Sequence, residues 1–143
     1  MAYVKVMIHA VWGTKNRYPY LTKEIREVVI EHIRQNAKTK EISIDTINGY
    51  TDHIHCLFGL NADMSIAKAL QLIKGESAHW INKHSITKNK FEWADEYYAS
   101  SVSEADLATV RKYIRNQEEH HTGRTYQQEV DTFMEEHQLK HHG

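Results

Sequence analysis

The chain has 143 residues, of which 41% are hydrophobic, and a mean hydropathy of −0.66. This length is close to that of one independently folding unit, so we expect a single domain over residues 1–143. The single cysteine excludes an internal disulfide framework. The absence of a long apolar run favours a cytoplasmic protein without a membrane partner. A formal net charge of −1 argues against a uniformly basic nucleic-acid-binding surface.

The first half of the chain predicts two strands that flank a helix. Alternation of apolar and polar residues indicates a strand at 3–12. Thr22 is a candidate N-cap for a helix that extends to about residue 38. A second strand is predicted at 42–48, and Asn48-Gly49 then forms a turn or bulge signal.

A third strand, predicted at 50–58, carries two histidines. Because side chains alternate between the faces of a strand, His53 and His55 point to one side, while Ile54 and Cys56 point into the core. Two imidazoles at this spacing form a rigid clamp for a metal ion. An H-x-H triplet also arises by chance in a chain with 11 histidines, so these residues alone leave both interpretations open.

The second half of the chain predicts a helix at about 64–83, a polar loop at 84–95, a strand at 97–102 and a last helix at 126–137. Between the last two elements, the serine-acid pattern Ser103 to Asp106 is typical of a capping box and predicts the start of another helix. The order β-α-β-β-α-β plus C-terminal helix is that of an α+β, ferredoxin-like fold, an antiparallel sheet with helices on one face. The two histidines would then lie on the open face.

Tyr113 and Gln117 lie one turn apart on the predicted helix that follows the fourth strand. A phenol and a carboxamide on one helix face are usually surface or packing groups. This interpretation loses support when the two-histidine strand is considered alongside the pair.

These residues together resemble the single-tyrosine HUH transposases of bacterial insertion sequences, including relatives associated with repetitive extragenic palindromes. His53-Ile54-His55 matches the histidine-hydrophobic-histidine motif, and the resemblance covers about residues 4–133. Further matching stretches are 9–15, 74–75 and 116–121. The resemblance implies that Tyr113 is the catalytic nucleophile, and that His53, His55 and Gln117 hold a divalent metal, Mg²⁺ or Mn²⁺.

The resemblance also implies an activity and partners. Such transposases cleave and rejoin single-stranded DNA at hairpin ends through a 5′-phosphotyrosine intermediate. They act as homodimers, in which the tyrosine helix of one subunit can complete the histidine pair of the other. An alternative is a domesticated or non-catalytic module of the same fold that binds single-stranded nucleic acid. A third interpretation is a metal hydrolase that uses water at the same histidines.

Several other side chains are candidates for supporting the site or contacting DNA. His9 belongs to the strand predicted beside the third, and two histidines follow Gln117 on what would be roughly the helix face of Tyr113. Local basic clusters occur after the first strand, in the middle helix and around Tyr113, on a chain whose acids concentrate elsewhere. The candidates are His9, Lys15, Arg17, Lys74, Arg111, Arg115, Asn116, His120 and His121.

Overall fold

The computed structural model describes residues 3–120 and 124–137. Its elements are β1 (Met7–Gly13), α1 (Lys23–Thr39), β2 (Ser43–Gly49), β3 (His53–Gly59), α2 (Ile66–Lys83), β4 (Tyr98–Val102), α3 (Leu107–Arg115), α4 (Gln117–His120) and α5 (Tyr126–His137). Short 3₁₀ turns occur at Lys15–Arg17 and Glu104–Asp106. The predicted elements are confirmed, although β1 begins at Met7 rather than at residue 3, since Tyr3 and Val4 are exposed.

The four strands form one antiparallel sheet in the order β2-β3-β1-β4. This order, with α1 and α2 as the two crossover helices, is the predicted ferredoxin-like arrangement. The histidine strand β3 is central, and His55 lies opposite Val11 of β1 and Asn48 of β2. Backbone hydrogen bonds on both sides therefore fix the positions from which the histidines project.

The main core lies between the sheet and the two crossover helices. Ile54, Cys56 and Phe58 of β3 point into it and are fully buried, as the strand alternation predicts. Burial raises the pKa of the Cys56 thiol to about 12, which fits packing rather than chemistry. Ser65 caps α2, since its hydroxyl accepts a hydrogen bond from the Lys68 amide.

The other face of the sheet is covered as well, so the expectation of an open face is wrong. Helix α3 packs on Leu57, and α5 packs on Val11 through an apolar cluster. The physical reason is that these two sheet residues are large and apolar on the outward-facing side and gain from burial. As a consequence His53 and His55 are 0% and 2% exposed.

The chain around the tyrosine helix also differs from the prediction. Ser103 donates a hydrogen bond to the Asp106 carboxylate instead of capping the backbone, so the predicted capping box does not form. Helix α3 ends at Arg115, and Asn116, with φ −96° and ψ 25°, interrupts the expected continuous helix. The Arg115 carbonyl, freed by this break, accepts a hydrogen bond from the Asn48 amide group.

No helix within residues 3–120 and 124–137 combines the length and apolar character needed to cross a membrane.

Candidate active site

Two outer partners orient the histidines of β3. His53 Nδ1 lies 2.8 Å from Asp52 Oδ1, and His55 Nδ1 lies 2.9 Å from Nε2 of His9, on β1. Because the Nδ1 atoms are engaged on the outside, both Nε2 atoms face the same enclosed point. Outer hydrogen bonds of this kind fix the tautomer and ring orientation of histidines that bind metals. His9 therefore lies where its sequence position predicts, beside the pair.

The Nε2 atoms meet a carboxylate and an amide. Glu129 Oε2, from α5, is 3.0 Å from His53 Nε2 and 3.1 Å from His55 Nε2. Gln117 Oε1 is 3.2 Å from His53 Nε2. Both Glu129 and Gln117 are buried, at 3% and 0% exposure. Gln117 follows the break at Asn116 and points inward. The structure therefore brings it to the histidines, although the helix that was predicted to carry it is interrupted.

This donor set fits a divalent cation. One donor atom from each of His53, His55 and Glu129 lies within 4.8 Å of the others. Donors about 2.1 Å from one ion and at right angles to each other lie about 3 Å apart, which is the spacing found here. Imidazole nitrogen combined with carboxylate and amide oxygen suits ions such as Mn²⁺.

Tyr113 lies against the same carboxylate. Its hydroxyl donates a 2.6 Å hydrogen bond to Glu129 Oε1, and its ring meets His55 edge-on at 5.5 Å between centroids. The side chain is half-buried and lines a cavity of about 290 Å³ between α3 and α5. The cavity gives a candidate substrate space next to the hydroxyl.

Burial and neighbouring charges set the protonation of the site. Burial and the hydrogen bond to Glu129 raise the pKa of Tyr113, so the phenol is protonated at neutral pH. Burial alone would raise the pKa of Glu129, but hydrogen bonds from His53 and His55 outweigh it and hold that pKa far below its usual value. Burial and the nearby His55 ring lower the pKa of His9 to about 3, which keeps His9 neutral.

Most of the other sequence candidates lie apart from the histidine pair. Arg111 forms a two-point ion pair with Asp45 of β2, at 2.8 and 2.7 Å, which anchors α3. Lys74 Nζ donates a 2.7 Å hydrogen bond to the Ala94 carbonyl, and Lys15 pairs with Glu92 at 2.7 Å.

The remaining candidates are on the surface or outside the described part of the chain. Arg17 and Arg115 are exposed, and Asn116 forms the break between α3 and α4. The His120 side chain and all of His121 lie outside what the structure describes.

Sequence reasoning missed Glu129, which it counted only among the acids that concentrate away from the basic clusters. Tyr126, which stacks on His53 with ring centroids 4.5 Å apart, was also missed. A signal was present, since Tyr126, Glu129, Val130 and Phe133 follow the i, i+3, i+4, i+7 pattern of a buried helix face. An acid inside an apolar stripe indicates a buried carboxylate with a partner.

Comparison with known proteins agrees with this geometry. The family described as "Transposase IS200 like" matches residues 2–117. The ISDra2 transposase TnpA of Deinococcus radiodurans is 26% identical over 114 residues, which is 76% of this chain and 81% of the relative.

Solved structures extend the comparison to the fold. The crystal structure of a protein described as a transposase from Deinococcus radiodurans R1 has a TM-score of 0.65 and 26% identity, covering 82% of this chain and 95% of that one. A REP-associated tyrosine transposase bound to a REP hairpin has a TM-score of 0.64 at 17% identity, covering 85% of this chain and 72% of that one, which shows a shared fold.

A histidine pair on the central strand of a ferredoxin-like sheet, facing a tyrosine, defines a single-tyrosine HUH protein. The chain belongs to the IS200-like transposase family, a family of DNA-processing enzymes that use a divalent metal. The resemblance predicted from the sequence is thereby confirmed.

Proposed function

We propose that this transposase cleaves and rejoins single-stranded DNA at hairpin ends, with Tyr113 as nucleophile and a divalent metal as cofactor. One observation carries the proposal. The Tyr113 hydroxyl and the His53–His55 pair converge on a single buried carboxylate, in a fold shared with tyrosine transposases.

The metal, Mg²⁺ or Mn²⁺, would be held by the Nε2 atoms of His53 and His55 and by Gln117 Oε1. When bound, such an ion polarises the scissile phosphate and stabilises the negative charge that develops on its oxygens. The chain supplies the orientation, since Asp52 and His9 hold the two imidazoles from behind.

Tyr113 supplies the covalent step. Its oxygen attacks the phosphorus and forms a 5′-phosphotyrosine bond, while the bond to the 3′ oxygen breaks and that strand leaves with a free 3′-hydroxyl. The reverse attack by a 3′-hydroxyl joins strands and releases the tyrosine. Glu129 Oε1 holds the phenolic proton at a defined position before the attack, which fixes the direction of the hydroxyl oxygen.

DNA would reach Tyr113 through the cavity between α3 and α5. Arg17 and Arg115 are exposed cations that can contact phosphates, and such contacts make binding salt-dependent. The homodimer implied by the family resemblance is part of the proposal. The contacts between Tyr113, Glu129 and His55 within one chain support a site assembled inside each subunit.

Covalent capture tests the reaction. The protein is mixed with a pool of single-stranded hairpin DNA and Mn²⁺, and SDS-resistant protein–DNA adducts are measured. Tyr113→Phe should abolish the adduct while retaining DNA binding. Tyr126→Phe is the matched control, because it keeps the ring stacked on His53 but removes the hydroxyl of a second tyrosine beside the histidines. This variant should retain the adduct.

The alternatives give different results in the same assay. A non-catalytic binding module would bind the pool without an adduct in any variant. A hydrolase that activates water would cleave without an adduct and would still cleave as Tyr113→Phe. Either result would overturn the tyrosine mechanism.

A further inference from the structure

We propose that Glu129 of α5 is a protein ligand of the metal and, through its second oxygen, the group that aligns Tyr113. Helix α5 lies beyond residues 2–117, the part of the chain that the family model matches. The inference rests on the metal site of the proposed function and names a further residue of it.

The two carboxylate oxygens of Glu129 contact different groups. Oε2 lies 3.0 and 3.1 Å from the two histidine Nε2 atoms, while Oε1 accepts the 2.6 Å hydrogen bond from Tyr113. A carboxylate can bind an ion through one oxygen and accept a hydrogen bond through the other. Glu129 therefore connects the histidine pair to the nucleophile directly.

The outer partners of the histidines point to a cation at this place. When His53 directs an N–H from Nδ1 to the Asp52 carboxylate, its Nε2 can present a lone pair to a metal ion. In the metal-free protein, Nε2 instead lies at hydrogen-bond distance from Glu129 Oε2. A metal ion bound between these two atoms would replace that hydrogen bond by two coordinate bonds, and the same would apply to His55, whose Nδ1 contacts His9.

Burial supports the same conclusion. Glu129 is 3% exposed and faces histidines that are 0% and 2% exposed. A buried carboxylate is costly unless a positive charge compensates for it, and a divalent ion supplies that charge. Glu129 would also favour hard ions, since a site that includes a carboxylate oxygen suits Mg²⁺ and Mn²⁺ better than a site made of imidazoles alone.

The packing of α5 holds the carboxylate in place. Tyr126 stacks on His53, and Phe133 meets the His9 ring edge-on at 5.2 Å between centroids. Tyr126, Val130 and Phe133 together cover Val11 of the sheet. Glu129 thus projects from a packed helix face, as a ligand must if the site is to be preorganised.

The test measures Mn²⁺ binding without DNA, by titration calorimetry and by the electron paramagnetic resonance signal of free Mn²⁺. Glu129→Gln should weaken binding by at least about tenfold, because even outer partners of metal ligands commonly cost ~10–100-fold. Glu135→Gln is the matched control, since it removes the same charge from an exposed position of the same helix and should bind like the unmodified protein. His53→Ala reports on the histidine pair itself.

The outcomes separate this inference from the proposed function. If His53→Ala loses Mn²⁺ but Glu129→Gln binds normally, the inference is overturned and the histidine site stands. If the unmodified protein binds no Mn²⁺, the metal site of the proposed function is overturned as well.

Circular dichroism and thermal unfolding in EDTA check that Glu129→Gln is folded. Glu129→Asp provides a second variant, because it keeps the charge but withdraws the carboxylate by one methylene, and should also weaken binding. Unchanged affinity in a folded Glu129→Asp counts against the inference.

Discussion

Replacing His9 by leucine should weaken metal binding although His9 is not itself a proposed ligand. His9 Nε2 lies 2.9 Å from His55 Nδ1, and the two side chains are 6% and 2% exposed. With leucine at position 9, His55 can bind a metal through Nε2 only by leaving the N–H on Nδ1 without its present acceptor. In the metal-free protein, the proton can move to Nε2 and donate to Glu129 instead.

The expected loss of metal affinity follows from this difference between the metal-bound and metal-free states. Leaving a buried donor unsatisfied costs about 1–3 kcal/mol. Because each ~1.4 kcal/mol corresponds to a factor of ten, the affinity should fall by about 5- to 150-fold. His9→Gln should recover part of the loss, since its side-chain oxygen can accept the same hydrogen bond.

The assay is Mn²⁺ titration calorimetry on the three proteins, with His32→Leu as control. His32 is also a histidine beside a carboxylate, with Nε2 2.7 Å from Glu76 Oε1, but it lies between α1 and α2 on the other side of the sheet. His32→Leu should leave the affinity unchanged. Equal affinity in His9→Leu and the unmodified protein would refute the tautomer reasoning.

Three further predictions concern pH, packing and assembly. The Arg111 guanidinium lowers the pKa of the Asp45 carboxyl, so the pair adds stability above the unfolded pKa of about 4 and loses it as pH falls through the lower folded value. In urea unfolding, Asp45→Asn should therefore lower the free energy of unfolding by about 1 kcal/mol at pH 7 and by progressively less below about pH 4. A difference in free energy that does not change with pH would contradict this prediction. Phe133→Ala should lower the free energy of unfolding by about 3 kcal/mol or less, because α5 can open locally without unfolding the rest of the protein. Hydrogen exchange should then become faster in α5 but not in β3. A mixture of His53→Ala and Tyr113→Phe should form no covalent adduct, because the site contacts lie within one chain, whereas restored activity would show assembly between subunits.

Local pattern was enough to predict the sheet. The alternation in β3 places Ile54 and Cys56 in the core and both histidines on the other side, which the structure confirms. Thr22 occupies the N-cap position of α1, as the sequence indicates, although its side chain makes no capping hydrogen bond. These features depend on periodicity and on backbone chemistry near each residue, so they can be predicted without knowing the tertiary packing.

The covered second face could not be predicted in this way. Val11 and Leu57 project from that face as large apolar residues, which indicates that something packs there but does not identify it. The turn at Asn116 that separates α3 from α4 is equally non-local, since the Asn48 side chain, on β2, satisfies the Arg115 carbonyl. Contacts between residues distant in sequence decide both features.

Glu129 shows why the site itself was only partly predictable. The histidines lie on a central strand, so their shared direction follows from the strand alone. A carboxylate on α5 reaches them only because Tyr126, Val130 and Phe133 dock that helix on the sheet. Since an ion that uses Glu129 binds only the docked state, metal binding must stabilise the docking of α5, and loss of docking must weaken metal binding by the same free energy. In the proposed mechanism, the packing of α5 and the chemistry of Tyr113 are therefore linked through a single carboxylate.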